Sequence, residues 1–560
     1  MKGMCRHTVR FLAACAVTAA CAGLAQGQWN IAAGSDHAAG MGTLAAFAGV
    51  AVNDSQPIKC GLPLLAYARQ NLRDLPARTA QALGLLDVRE PMETSVVLGR
   101  FRFHFDTTTI HTPALLNALH QRIPGTARAF VDSAAASMAF AAPYEVDSLG
   151  FLEPLPDGTL GGGPEYDIYI RELGFLYGYT STDVATPEGG TSTTFITIDN
   201  DFIFVQPDIN KGIPGLKVTL AHEYHHAIQI GRYGYRPGDI WYHEITSVWI
   251  EDVVYTAVND YYSYLFSQRS HFRNPETTLT RRDGLIEYSR GIWGQYFTKK
   301  FGGDAMLRTW QGFGASPPVT AIDNALRTQY QSNLRAAFGE WSLWNYFTAS
   351  RANHDLYYPE GAYFPLIAET MYDLVGGHRD ITGSVGCLGS KYFRVAAGRD
   401  TAAFIVTHGG SGCAGGGSTE PFTLSVARTR PDDTYRPAAA GYFVKLSVSD
   451  PSQWVLWDIG SGGVGGPFVE EGEAFPNPFV PGKAPFVYLR SSEPQGTVSV
   501  FTSDMVLVFT EYQASRTYLG QRVFVWDGKT TAGELARSGV YLFVVHGGAG
   551  TVTGKIAVVR

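Results

Sequence analysis

The segment Leu220-Ala221-His222-Glu223-Tyr224-His225-His226-Ala227 carries the strongest chemical signal in this chain. His222 and His226 stand at i and i+4, so on a helix they project from one face a turn apart and can grip one metal ion. Two neutral imidazoles suit zinc, and Glu223 stands where it can take a proton from a water activated by that metal. A catalytic zinc needs a further protein ligand, because such sites offer three protein groups and leave a position for water. Trp241-Tyr242-His243-Glu244-Ile245-Thr246-Ser247-Val248-Trp249-Ile250-Glu251-Asp252 supplies Glu244 and Glu251. They stand at i and i+7 on one helix face, so geometry alone leaves both open.

Such a site needs helices on a sheet. Val218 to Ile230 reads as a helix, entered after Pro214-Gly215 and left at Gly231, with further helices over Glu244–Tyr255, Gly291–Phe301 and Asn333–Phe347. Upstream, Leu62–Leu85, Pro113–Arg122 and Ala127–Phe140 also read as helical. Val96 to Phe105 alternates like one half-buried strand, and Tyr166–Ile170 and Thr194–Ile198 are two more, separated by Gly- and Thr-rich loops. Strands first and mostly helices afterward predict an α+β domain ending near Ile367. Trp341, Trp344 and Tyr346 fit its core.

Beyond Gly376 short apolar runs alternate with Gly-rich turns: Tyr392–Ala396, Ala402–Thr407, Phe422–Val426, Tyr442–Val448 and Trp454–Ile459. These predict a β-sandwich, and Ala474–Arg560 reads as a further block of short strands. Between them, Gly460-Ser461-Gly462-Gly463-Val464-Gly465 fits a dinucleotide-binding pattern, but Gly466-Pro467 follows where a helix must start, so a linker is the better reading. No GxSxG serine elbow occurs.

Composition narrows the class. The 560 residues hold 45% apolar and 17% charged side chains, with Gly 63 and Pro 29, enough for several packed, turn-rich domains. The net charge of −7 leaves no basic excess to engage nucleic-acid phosphates. No internal run reaches the roughly 18 apolar residues that span a bilayer. Lys2, Arg6 and Arg10 precede an apolar, small-residue stretch ending Gly23-Leu24-Ala25, the pattern of a secretory signal peptide. Cys5, Cys15 and Cys21 fall inside it. Of the remainder, Cys387 and Cys413 flank a strand-like run and are expected to pair in an oxidising compartment, leaving Cys60 as a packed small hydrophobe.

With its Trp241…Glu244…Trp249-Ile250-Glu251-Asp252 partner segment, the His222-Glu223-Tyr224-His225-His226 helix resembles secreted bacterial gluzincin-like metalloproteases, distantly similar to immune inhibitor A and thermolysin. Gly99-Arg100-Phe101-Arg102-Phe103-His104-Phe105-Asp106 and Asn259-Asp260-Tyr261 join the resemblance, which covers roughly residues 90–370. A metzincin continuation fails, because Gln229 and Arg232 occupy positions where that pattern wants Gly and His. The resemblance implies zinc peptidase activity, with His222, His226 and Glu244 as ligands, Glu223 as general base, and Glu251 or Asp252 orienting a histidine. Glu244 is preferred because its shorter link and Glu-x-x-Ser context resemble the thermolysin-type ligand helix. Val248 stands where that family has an orienting Asp, and Tyr288 is a candidate for the transition-state residue.

Phe475-Pro476-Asn477-Pro478-Phe479, Trp526-Asp527-Gly528-Lys529 and Ser538-Gly539-Val540-Tyr541-Leu542 resemble the FlgD-type Ig-like domain, a module that ends many exported bacterial proteins. That resemblance implies a possible contact with export machinery. The expected organisation is a signal peptide (1–25), a leader or pro-like segment (26–90), a zincin-like α+β metalloprotease domain (91–375), a β-sandwich (376–460), a linker (461–473) and an Ig-like domain (474–560). The expected function is a secreted, zinc-dependent endopeptidase acting on protein or peptide substrates. A non-catalytic surface or adhesion protein, whose peptidase-like domain merely binds, is the alternative.

Overall fold

A computed structural model describes residues 57–70, 88–372 and 385–395, four strands between 401 and 458, and most of 472–560. The expected signal peptide, the Gly-rich linker and Cys413 lie outside the described residues.

The site-bearing part is built on one six-stranded sheet. Its strands are β1 (Ile58–Cys60), β2 (Thr94–Leu98), β3 (Phe101–Phe105), β4 (Tyr166–Arg171), β5 (Leu176–Thr182) and β6 (Thr194–Asp199), in the order β1-β5-β6-β4-β3-β2. Strands β3, β4 and β6 run parallel, β5 runs antiparallel to β6, and β1 runs parallel to β5 on the outer edge. The segment read as a leader thus supplies the sheet's outermost strand, followed by helix α1 (Leu62–Gln70).

Three local expectations change. Val96–Phe105 is a hairpin rather than one strand: Gly99, at φ +65°, turns the chain so that Leu98 pairs with Phe101. Pro113–Arg122 is irregular rather than helical. The Asn117 side chain accepts from the backbone N–H of Leu119 and Gln121, both at 2.9 Å, and this turn replaces the helical ladder. The loop expected between β4 and β6 contains strand β5, buried along its whole length, which its Gly and Thr content disguised.

Helices α2 (Ala127–Pro143) and α3 (Ile213–Ile228) pack on the sheet, and beyond them lie α4 (Ile240–Val254), α5 (Tyr262–Phe266), α6 (Ile292–Phe301), α7 (Ala305–Gln311), α8 (Pro318–Gln329) and α9 (Leu334–Tyr346). Gly212, at φ +69°, redirects the chain into α3, whose second residue is Pro214, where the missing N–H costs nothing. Both α3 and α4 are buried on nearly every face, so their polar side chains must find partners inside the protein. Trp241, Trp249, Trp293, Trp310 and Trp341 fill the core around them.

Downstream, β7 (Glu369–Tyr372) pairs with β8 (Tyr392–Val395), β9 (Thr401–Val406) with β12 (Gln453–Asp458), and β10 (Phe422–Val426) with β11 (Val444–Val448). The last two pairs are antiparallel. The C-terminal block forms two four-stranded sheets, β13-β14-β18-β17 and β16-β15-β19-β20. In the first lie β13 (Ala474–Phe475), β14 (Val487–Arg490), β17 (Arg516–Tyr518) and β18 (Gln521–Trp526); in the second β15 (Gln495–Thr502), β16 (Leu507–Ala514), β19 (Gly539–Gly547) and β20 (Thr551–Val558). Val487, Leu489, Phe524 and Trp526 of one sheet share a core with Val498, Val500, Phe543 and Ile556 of the other, a sandwich as expected. The chain is therefore multidomain, mixed α and β first and antiparallel β afterward.

Candidate metal centre

The i, i+4 pair holds on α3. His222 and His226 turn their Nε2 atoms toward each other at 3.0 Å, both residues buried. Helix α4 lies alongside α3 and brings the Glu244 carboxylate to them: Oε2 is 3.2 Å from His222 Nε2 and Oε1 is 3.3 Å from His226 Nε2. Donor atoms of His222, His226, Glu244 and Cys60 all lie within 4.8 Å of one another. That spacing matches ligands around one ion with bonds of about 2.0–2.3 Å.

The outer nitrogens settle the direction of the donors. His222 Nδ1 meets Glu251 Oε1 at 2.7 Å, and a carboxylate accepts, so Nδ1 carries the hydrogen. His226 Nδ1 meets Gln229 Oε1 at 2.8 Å. The Gln229 amide is oriented by donating to the His243 carbonyl at 3.2 Å and to Thr246 Oγ1 at 2.8 Å, so its oxygen faces the two imidazoles of His226 and His243. With both Nδ1 hydrogens held outward, the Nε2 lone pairs converge beside a carboxylate, an arrangement that calls for a cation. Against burial, Glu244 and Glu251 hold His222 up to about 10, the mark of a site that favours positive charge. Burial likewise opposes ionisation of Glu244, yet His226 and His222 hold its carboxyl down to about 2. The residues therefore fit a divalent metal such as zinc.

Gln229 reaches His226 because α3 does not simply end. A π-helical turn over Gln229–Tyr233 follows it and stops at Gly234, where a Cβ would lie 2.6 Å from the Gly189 carbonyl. Gln229 and Ser247, the latter 3.2 Å from His226 Nδ1, perform the orienting task for which Val248 is unsuited. Asp252 bonds Gln295 instead.

Glu223 is fully buried beside the pair. Its Oε2 accepts from Thr180 Oγ1 of β5 at 2.8 Å, while Oε1 has no hydrogen-bond partner among the described residues. Burial raises its carboxyl above the usual range, and the imidazoles of His222 and His226 oppose this. Tyr288 is buried within electrostatic reach of Glu244 and Cys60. His225 turns away to Glu145, at 2.9 Å.

Cys60 packs in the apolar core as expected, a buried free thiol. Sequence reasoning missed that its sulfur, carried on β1, also stands among the donor atoms of the cluster. Burial, then the carboxylates of Glu223 and Glu244, raise its thiol well above the ordinary value. The available signal was its status as the odd cysteine of a chain expected to be exported. Cys387, by contrast, is disulfide-bonded.

No helix of the described residues is long and apolar enough to cross a membrane. No family model matches the chain. No curated protein matches it either. Among solved structures, the chain is similar to PorZ, an essential bacterial surface component of the type-IX secretion system of Porphyromonas gingivalis. The identity is 19% and the TM-score 0.13, over 16% of this chain and 11% of PorZ, so the likeness is too slight to carry an argument.

Proposed function

We propose that this protein is a secreted zinc endopeptidase of the gluzincin type, with His222, His226 and Glu244 as ligands and Glu223 as general base. The observation that carries the reading is the convergence of two Nε2 lone pairs and one carboxylate, with both Nδ1 hydrogens fixed outward, next to an unligated glutamate. When bound, zinc would supply Lewis acidity toward a peptide carbonyl and toward water. Thr180 occupies Glu223 Oε2 and leaves Oε1 to receive the proton of the attacking water. Glu223 then passes that proton to the departing amine, so one carboxylate serves both halves of the reaction. Glu251 and Gln229 hold the imidazoles in the required tautomer throughout.

The test is Glu223→Gln, which preserves shape and removes the base. One zinc per chain should remain while cleavage of a denatured protein substrate falls by about 10² or more. Unchanged turnover would refute this mechanism. A wild-type chain that binds zinc but cleaves nothing, once any inhibition is relieved, would favour the adhesion alternative.

A further inference from the structure

The donor cluster has four members, and a catalytic zinc site keeps one position open. We propose that Cys60 is a fourth metal ligand that holds this chain latent, carried on an N-terminal strand that occupies the sheet edge where a peptide substrate would pair. The proposal rests on the peptidase reading above and concerns its regulation.

Cys60 stands in a built position. Strand β1 is fastened to β5 by Ile58 N–H to the Phe175 carbonyl at 2.8 Å and Gly61 N–H to the Gly178 carbonyl at 2.9 Å. Cys60 is in register with Gly178, where a Cβ would come 3.4 Å from Glu223 Cγ, so the thiol is held at the level of the base. The Leu62 N–H, at the start of α1, donates to Cys60 Sγ at 3.3 Å and fixes the direction of the sulfur. Next to it, Lys59 is 1% exposed, and its ammonium pairs with Glu251 at 2.8 Å and Asp260 at 2.6 Å. Leu62, Leu64, Leu65 and Ala66 are buried behind it, and α1 packs on α4, the helix that carries Glu244.

The consequence is a closed centre. His222, Glu223, His226 and Glu244 are each 1% exposed or less, so no polypeptide reaches them while β1 is in place. Without β1, β5 would become the sheet edge beside Glu223, and an extended peptide adds to such an edge by main-chain hydrogen bonds. The latent strand and the substrate thus compete for one row of donors and acceptors. Displacing β1 withdraws the thiolate, which takes up a proton as it leaves, and opens the side of the cluster that faces Glu223.

The experiment compares the full secreted chain with its Cys60→Ser variant, both loaded with cobalt(II) in place of zinc and, separately, with zinc. The wild type should show a thiolate-to-cobalt charge-transfer band that Cys60→Ser lacks, at one metal per chain in both. Azide should perturb the visible cobalt spectrum of the variant and leave the wild type unchanged. In the zinc forms, the uncleaved variant should hydrolyse casein at least about tenfold faster than the uncleaved wild type, the factor expected where a closed state outweighs an open one tenfold. Absence of the wild-type band overturns thiolate ligation. Equal azide response, or measurable hydrolysis at equal rates in the two proteins, overturns latency. Loss of metal from Cys60→Ser makes the four residues a structural site and also overturns it. A variant that gains azide binding but never cleaves any substrate leaves Cys60 ligation standing and sinks the peptidase reading beneath the latency claim.

Discussion

At the scale of single residues, the question left open by spacing was which glutamate meets the histidines. Glu244 and Glu251 share a face of α4, yet they serve different nitrogens of His222, Nε2 and Nδ1 respectively. The difference is testable. Glu244→Gln should reduce zinc well below one per chain, because a neutral amide lacks the negative charge that a carboxylate brings to a divalent cation. Glu251→Gln should retain zinc at saturation with affinity lowered by about 10- to 100-fold, the usual loss when a residue orienting a metal-bound histidine is changed. Metal analysis after dialysis against graded chelator checks both. Retention in Glu244→Gln with loss in Glu251→Gln would reverse the assignment. Lys59 adds a constraint, since its ammonium sits on the other Glu251 oxygen and couples β1 to the orientation of His222.

At the scale of elements, the site depends on how closely α4 is approached by α6. Gly291, just before α6, and Gly294 within it face Val248 and Trp249, and a Cβ at Gly294 would fall inside the Trp249 side chain. Helix α6 therefore packs backbone against side chain, which fixes the depth of α4 and so the reach of Glu244. Gly294→Ala gains helix propensity but forces the indole to move, and overpacking of this kind costs about 1–3 kcal/mol. The expected result is a lower melting temperature with weaker zinc retention in the same protein. A melting temperature equal to or above the wild type's would show that α4 has room to shift. The misread hairpin, the irregular segment around Asn117 and strand β5 also belong to this scale. Each was decided by a local hydrogen bond, a positive φ or a burial pattern that periodicity does not register.

At the scale of the whole molecule, the described residues form two cores from separate stretches of sequence. One comprises residues between Cys60 and Ile367, and the other residues between Phe479 and Val558. All members of the donor cluster belong to the first stretch. Among the described residues, the strands of the C-terminal sandwich pair only with one another, within its two sheets, as expected of a unit that folds on its own. A chain ending near Val464 is therefore expected to fold, bind one zinc and, once unmasked, cleave substrate, while its delivery to or retention at the cell surface changes. Zinc analysis and hydrolysis on the soluble truncated protein, with fractionation of the expressing cells, check this. A soluble product without zinc would place part of the C-terminal block in the metal-binding unit.

The sequence by itself determined the candidate metal-binding pair, the glutamate proposed as base and the class of the fold. These depend on fixed spacings: i, i+4 on a helix, the punctuation of Pro214 and Gly231, and the change from helical to alternating periodicity after Gly376. It also narrowed the third ligand to two residues. Only the tertiary structure decided that Glu244 rather than Glu251 faces the Nε2 atoms, that Gln229 orients His226, and that Cys60 completes the cluster. Each of these is a long-range meeting. Cys60 reaches the helix of His222 because a three-residue strand adds to the edge of β5, and nothing in the sequence around Cys60 encodes the register that sets it opposite Gly178. Local chemistry is written in local spacing, whereas contact between distant segments is settled by which strand edge is free and which helices can pack closely enough to share a core.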